Sequence, residues 1–463
     1  MMLKLSLLPA LVSALALVAQ PSTAAPSAVR GFVTAGEDSR PVVRATAKGE
    51  LQDSLLDERG ELLKDARILL SSRQNPGFAY GTQKVRGVNI GGWLVAEPWI
   101  TPSLFDKTGD SRVIDEWTFG QYASNAYGRL QKHWSTFYTE SDFAQIAGAG
   151  LNHVRIPIGY WAFDTSAGEP YVHSNQSDYL ERAIQWSQQY GLKVLIDLHG
   201  APGSQNGFDN SGRKGSANWP NDQKNADRAV AVISAIAARY AKYDGTVTSI
   251  ELLNEPAGFL GGNLIEFTKS YYFSGYYNVR SKFANAAIMI HDGFMGLSYW
   301  NGVAQPPQYQ QVLLDTHIYQ VFSPAEVARS DDERLNTYCG QADGLASSNK
   351  NLWTVVGEWT TAPTDCAKYL NGKGVGARYD GSYPGSYYVG SCNGKTGNGS
   401  NFSAAYKSSL QKLFETQISV YERASGWIYW TWKTEQAADW DYQRGLKYGW
   451  ITRNLNSRPN ARC

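Results

Sequence analysis

The chain has 463 residues, with 43 Lys+Arg against 42 Asp+Glu and a formal net charge of +1. That balance excludes the electrostatic footprint of a nucleic-acid or anionic-membrane binder, so neither is expected as a partner. Charged residues are only 18% of the chain and aromatics 13%, including 15 Trp; most of these rings should pack the core, but sugars lay their C–H faces on aromatic faces, so the composition also suits a carbohydrate site.

In chain order, Lys4 precedes the apolar run Leu5 to Ala19, and Ser22-Thr23-Ala24-Ala25 supplies small residues for signal-peptidase cleavage. Residues 1–25 are therefore expected to be a signal peptide. The run is too short to be a membrane anchor, and no later stretch reaches about 18 consecutive apolar residues. A secreted, soluble monomer is expected. In an oxidising compartment Cys339, Cys366, Cys392 and Cys463 are candidates for two disulfides, with three possible pairings. Their spacing is not that of a zinc knuckle. Sequons at Asn175, Asn398 and Asn401 agree with the same route.

Residues 26–80 lack the regular patterning of the chain beyond them. They hold a charged, helix-compatible stretch, Glu50 to Leu70, then the loop-like Gln74-Asn75-Pro76-Gly77. They read as a propeptide or N-terminal arm ahead of a catalytic domain over 81–463.

From Lys84 onward, short β-rich runs alternate with helix-compatible segments such as Tyr179–Tyr190 and Ala226–Tyr243. The runs are Val85–Ile90, His153–Ile158, Lys193–His199, Thr248–Asn254, Ala286–His291, Val312–Tyr319, Thr354–Glu358 and Trp427–Trp432. Strands buried on both faces read as continuously apolar, and eight of them predict an α/β fold, a (β/α)₈ TIM barrel with long active-site loops. An open doubly wound sheet is the competing reading, but no Gly-rich phosphate turn follows the first run.

Polar residues fall at the C-terminal ends of these runs: Arg155, His199, Asn254-Glu255, His317 with Tyr319, Glu358 and Trp432. A single one would be read as satisfying rim carbonyls. Together they predict an active site, because in a barrel those ends converge on one face. Glu255 and Glu358 close the fourth and seventh runs, so their carboxyls can meet across the mouth at about 5–5.5 Å, the spacing of a retaining glycosidase. Such chemistry needs one carboxyl protonated and the other ionised. His199, His317 and Tyr319 are placed to tune them, and Asn254 to hold a sugar 2-hydroxyl. The alternative, two rim salt bridges to Arg155 or another base, accounts for each glutamate alone but not for the pair.

These residues resemble glycoside hydrolase family 5, and within it the fungal exo-β-1,3-glucanases. The matching stretches are Arg86-Gly-Val-Asn-Ile-Gly-Gly-Trp-Leu-Val-Ala-Glu97-Pro-Trp99-Ile-Thr-Pro-Ser-Leu-Phe105, His199 through Gly212, Asp315-Thr-His317-Ile-Tyr319-Gln-Val-Phe322, and Trp427 through Glu435. The resemblance runs from about residue 84 to 463 and does not reach 26–80. It implies Glu255 as acid/base and Glu358 as nucleophile. Arg155, Asn254, His199, His317 and Tyr319 would line the terminal glucose subsite. Glu97, Asp209, Asn210 and Trp432 would grip its hydroxyls and stack its ring, and Phe208 and Phe322 would clamp the next sugar. Trp99 stands where relatives commonly carry Tyr. The resemblance further implies nested bridges, Cys366–Cys392 inside Cys339–Cys463, and no metal or organic cofactor. The implied reaction is double-displacement release of glucose from non-reducing ends of β-1,3-glucan, outside the cell or in its wall. Alternatives are a β-1,6-glucanase, endoglucanase or mannanase of the same family, or an inactive glucan-binding wall protein, which would be expected to have lost one glutamate.

Overall fold

The computed structural model describes residues 75–463, together with 44, 45, 47 and 48. The signal peptide expected over 1–25 and the helix-compatible stretch 50–70 lie outside the described residues.

Eight parallel strands close on themselves: β1 (Val85–Asn89), β2 (His153–Gly159), β3 (Lys193–Gly200), β4 (Val247–Glu251), β5 (Ala287–His291), β6 (Val312–Ile318), β7 (Trp353–Trp359) and β8 (Gly426–Tyr429). Each pairs with the next, and β8 returns to β1 through Val85 opposite Gly426. Nearly every strand residue is buried, as the continuous apolar runs predict. Two strands, β4 and β8, end three residues short of their runs. Past β4 the backbone stays tied by Leu252 N–H to Met289 O (2.9 Å) and Asn254 N–H to Leu198 O (3.0 Å), then turns at Glu255 with φ of 44°. Past β8 the Trp430 N–H reaches Trp359 O at 2.8 Å before the chain leaves the sheet.

The surrounding helices include α1 (Glu140–Gly148), α2 (Gln176–Gln189), α3 (Gln223–Tyr240), α4 (Leu264–Lys282), α5 (Asp331–Cys339), α6 (Ala342–Asn351), α7 (Ala404–Tyr421) and α8 (Tyr442–Tyr448). On α3, Ala226, Ala229, Val230, Ile233, Ile236, Ala237 and Tyr240 recur at helical spacing and are buried against the sheet. The β5–β6 connection departs from the ideal repeat, because it holds only a one-turn helix, Leu297–Trp300. Gly293, Gly296, Gly302, Pro306 and Pro307 in that connection do not sustain anything longer.

The floor of the barrel is closed by residues read from sequence as part of the arm. Tyr80 is buried among Val85, Leu195, Ala287, Met289, Leu313, Val355 and Ile428, and its hydroxyl bonds Thr248 Oγ1 at 2.7 Å. Phe78 sets its ring edge-on to His153 at 4.4 Å. The barrel's core therefore starts before residue 81. Further upstream, Arg44 forms a bidentate pair with Asp227 (3.1 and 2.7 Å) and Ala45 N–H bonds Ser274 Oγ at 2.9 Å, strapping this short piece across α3 and α4. The bridges are Cys339–Cys463 and Cys366–Cys392, the nested pairing, and all four cysteines are used.

Candidate active site

Arg155 organises the mouth. It projects from β2 with no exposed surface and gives every donor group to a partner on another element. Nε donates to Glu251 Oε2 (2.7 Å), Nη1 to Asn89 Oδ1 (3.0 Å) and Glu358 Oε1 (2.9 Å), and Nη2 to Asn254 Oδ1 (2.7 Å), with Asp197 Oδ2 at 3.2 Å. A guanidinium cannot give up its charge, so this fork fixes the acids that surround it.

Glu358 accepts from Arg155 and from the Tyr319 hydroxyl (2.9 Å); Glu255 accepts from Asn210 Nδ2 (2.9 Å) and from His317 Nδ1 (2.7 Å). The same Nδ1 lies 3.5 Å from Glu358 Oε2. One ring nitrogen thus lies within 3.5 Å of an oxygen of each carboxyl, so the two acids face a common point. On its other side, His317 Nε2 faces Asp315 Oδ2 at 3.2 Å.

Burial raises the Glu358 carboxyl above its ordinary range, and Glu255 adds to the rise against the pull of His317 and Arg155. Burial presses on Glu255 too, but the His317 hydrogen bond and charge, with the Asn210 amide, bring it below the ordinary value. Burial works against charge on His317, yet Glu358, Asp315 and Glu255 hold it well above the usual histidine value. This order is the reverse of a simple protonated Glu255 beside an ionised Glu358. Burial with the Glu255 charge outweighs His317 and Arg155 at Glu358, whereas the His317 bond and charge with Asn210 outweigh burial at Glu255.

Around the pair, several buried polar atoms take no bond from the protein: Glu97 Oε1, His199 Nε2, Asp209 Oδ2 and Asn254 Nδ2. Buried polar groups are rarely left so, which suits a site that receives ligand hydroxyls. Glu97 is pushed well above its usual value by burial and by Asp209, and Asp209 up to about 6, chiefly by burial. His199 Nδ1 is held by Asp197 Oδ2 at 2.6 Å. Trp99 donates its indole N–H to Glu97 Oε2 at 3.0 Å and packs edge-on to Trp440. Phe208 and Phe322, on loops after β3 and β6, are 40% and 44% exposed.

One expectation needs correcting. Trp432 does not face the mouth: it has no exposed surface, gives its indole N–H to Asp142 Oδ1 (3.2 Å) and stacks on Tyr442. The tryptophan at the site is Trp430, parallel to His199 at 5.6 Å between ring centroids. Sequence reasoning also missed the buried acids inside the strands, Asp197, Glu251 and Asp315. It missed Glu116 as well, whose two oxygens take Ala96 N–H (2.7 Å) and Trp161 Nε1–H (2.8 Å) and so anchor the loop that carries Glu97. The exposed rings Phe259 and Phe294 extend the aromatic surface from Phe208.

Glu255, His291 and His317 bring possible ligand atoms within 4.8 Å of one another. They do not fit a cation, because His291 Nδ1 accepts Gly293 N–H at 3.0 Å and the ring hydrogen therefore sits on Nε2, the nitrogen that would have to ligate.

A family model described as Cellulase (glycosyl hydrolase family 5) matches residues 119–374. A glucan 1,3-beta-glucosidase of Blumeria graminis is 48% identical over 388 residues, covering 82% of this chain and 89% of the relative. A probable glucan 1,3-beta-glucosidase A of Aspergillus niger is 49% identical over 79% of this chain and 86% of its own. The crystal structure of rutinosidase from Aspergillus niger superposes with a TM-score of 0.63 at 19% identity, covering 81% of this chain and 99% of that one, a likeness of fold.

Proposed function

The chain belongs to glycoside hydrolase family 5 and is a glycoside hydrolase, and from that premise we propose that it is a retaining exo-β-1,3-glucanase that releases glucose from non-reducing chain ends. The observation that carries the reading is the pair Glu255 and Glu358 at adjoining reach of one buried nitrogen, His317 Nδ1. That spacing suits a nucleophile and an acid/base acting on the same anomeric carbon.

Glu358, oriented by Arg155 and Tyr319, attacks the anomeric carbon. Glu255 protonates the leaving oxygen, then withdraws a proton from the water that hydrolyses the glycosyl ester. Asn254, Glu97, Asp209, Asn210 and His199 bind the hydroxyls of the terminal glucose, and Trp430 rather than Trp432 supplies its aromatic face. Phe208 and Phe322, three strands apart around the mouth, take the next sugar. The names of the relatives support β-1,3-glucan as substrate. Secretion to the medium or wall is supported by the N-terminal run and the two disulfides, and the enzyme is proposed to act as a monomer. Asn398 and Asn401 are exposed and Asn175 half-buried, so the first two are the better glycan acceptors.

Product analysis on laminarin, a β-1,6-glucan and carboxymethylcellulose tests the reading. Glucose as sole early product from laminarin is expected, appearing first as the β-anomer by proton NMR. Oligosaccharides from the start, or initial α-glucose, would overturn it.

A further inference from the structure

The double displacement needs a proton on Glu255 before each glycosidic bond breaks, and the geometry shows where one can be held. The His317 side chain is 0% exposed and spans Glu255 and Asp315 through opposite ring nitrogens. At Nε2 the Asp315 carboxylate accepts (3.2 Å); at Nδ1 the Glu255 carboxylate lies at 2.7 Å. With an acceptor on each side, both ring nitrogens carry hydrogen, and the ring is an imidazolium.

Resting on the function proposed above, we infer that Asp315 and His317 form a dyad that stores the acid proton of Glu255. In the first half the Nδ1 proton passes to Glu255, which delivers it to the glycosidic oxygen as the C–O bond breaks and Glu358 becomes esterified, leaving Glu255 a carboxylate again. His317 is then neutral, its Nε2–H still on Asp315. In the second half, water attacks the anomeric carbon and the ester bond breaks. The water's proton goes to Glu255 and back to Nδ1, so the count is restored with nothing added but water.

The groups around the ring fit this role. His291 packs edge-on to it at 4.4 Å and is held neutral, its Nδ1 occupied by Gly293 N–H. Asp292 spends one oxygen on Phe294 N–H and the other on the Thr316 hydroxyl. Glu358, at 3.5 Å from Nδ1, is already held by Arg155 and Tyr319. Arg155 Nη2 stands 3.9 Å from Asp315 Oδ2. The electrostatic balance raises the ring's affinity for its second proton while lowering that of Glu255, as a store facing its client requires. Asp315 is a positioning residue with a second duty: its Oδ1 takes Gly357 N–H at 2.7 Å, next to Glu358, and a Cβ at Gly357 would sit 2.2 Å from its oxygens.

Asp315→Asn separates these duties. Its amide oxygen can still accept from Gly357, while its NH₂ can only donate to Nε2, which strips the ring of that proton. In ¹⁵N-histidine NMR of the intact enzyme, with His317→Gln used for assignment, the wild-type ring should show two protonated nitrogens at neutral pH and the Asp315→Asn ring one. The alkaline limb of kcat/KM on laminarioligosaccharides should fall by about one pH unit or more and kcat by about tenfold or more. Hydrolysis of dinitrophenyl glucoside, whose leaving group needs no proton, should lose far less in the glycosylation step. A neutral His317 in the wild type at pH 5–7 would overturn the dyad. So would a well-folded variant losing both substrates equally with its pH limb unmoved. If Asp315→Asn does not fold, the wild-type spectrum alone decides. Wild-type inactivity on laminarin would instead sink the substrate reading, leaving the spectrum to judge the dyad.

Discussion

Two fully buried histidines, one at each end of the barrel, differ in everything but burial. His153 starts β2 at the floor, wedged between Phe78 and Tyr80, and burial drives its value down to about 3, with Lys193 pushing the same way. His317 ends β6 at the mouth and is held well above the usual value by Glu358, Asp315 and Glu255. Desolvation strips a histidine of charge wherever it is buried; only carboxylates set beside it restore it. The floor is accordingly a place where polarity is minimised and contacts are apolar. The mouth keeps charge inside the protein, at a cost in stability met by its hydrogen bonds.

The largest contrast should come from deleting one group at each end. Glu358→Gln should lower turnover of every substrate by several orders of magnitude while thermal stability stays level or rises, read by kinetics beside calorimetry. Glu255→Gln should spare the first step for activated aryl glucosides and slow the second. Equal loss of both steps in both variants would undo the division of labour. Tyr80→Ala should do the opposite: it removes a buried ring from beneath six strands and should cost about 3–5 kcal/mol, with kcat/KM of the folded fraction unchanged. A variant of normal stability, measured by denaturant unfolding, would mean the floor is not closed by this residue.

Buried acids and buried histidines also set opposite pH limits on stability. Glu116 and Asp439 are pushed by burial up to about 8, so between about 4.5 and 8 the folded chain holds protons that the unfolded chain has released, and stability falls as pH rises through that window. His153 at about 3 and His133 at about 4 act the other way: the unfolded chain takes up protons near 6.5 that the fold refuses, so stability falls as pH drops below that value. The melting temperature should peak in mildly acid buffer. Each group contributes at most about 1.4 kcal/mol per pH unit within its window. Glu116→Gln should flatten the alkaline side of the curve and His153→Gln the acid side; a curve unchanged by both would break the contrast between buried acids and buried histidines. The smallest effect belongs to the rim. Phe208→Ala should raise KM for laminarioligosaccharides by a factor equivalent to about 1 kcal/mol and leave aryl glucosides nearly untouched. An equal change for both would move Phe208 out of the second sugar's path.

Much of the barrel and its mouth was legible in the sequence, for a physical reason. Parallel strands covered on both faces are continuously apolar, so a carboxylate such as Glu358 or an Asn-Glu-Pro at the end of the run stands out. What was hidden depends on pairing across the barrel. Asp197, Glu251 and Asp315 look like flaws in apolar runs until Arg155 arrives from β2 to meet them. Trp430 and Trp432 stand two apart in Trp427-Ile-Tyr-Trp-Thr-Trp, and alternation predicts the same face for both. That rule stops with the sheet at Tyr429, after which the chain turns and sends Trp432 to Asp142. Phe78 and Tyr80 carried no periodic signal, since a floor is made by one short segment against many strands.

That floor has a consequence in time. Tyr80 is synthesised before every strand it packs against, the last of them carrying Ile428. At about 5–20 residues per second, on the order of 20–70 s pass between the two leaving the ribosome's active site. For that interval a tyrosine and a phenylalanine destined for the core have no core to join. The nascent chain must keep them soluble until β8 closes the ring, so a contact opened at the start of the barrel is completed only by its last strand.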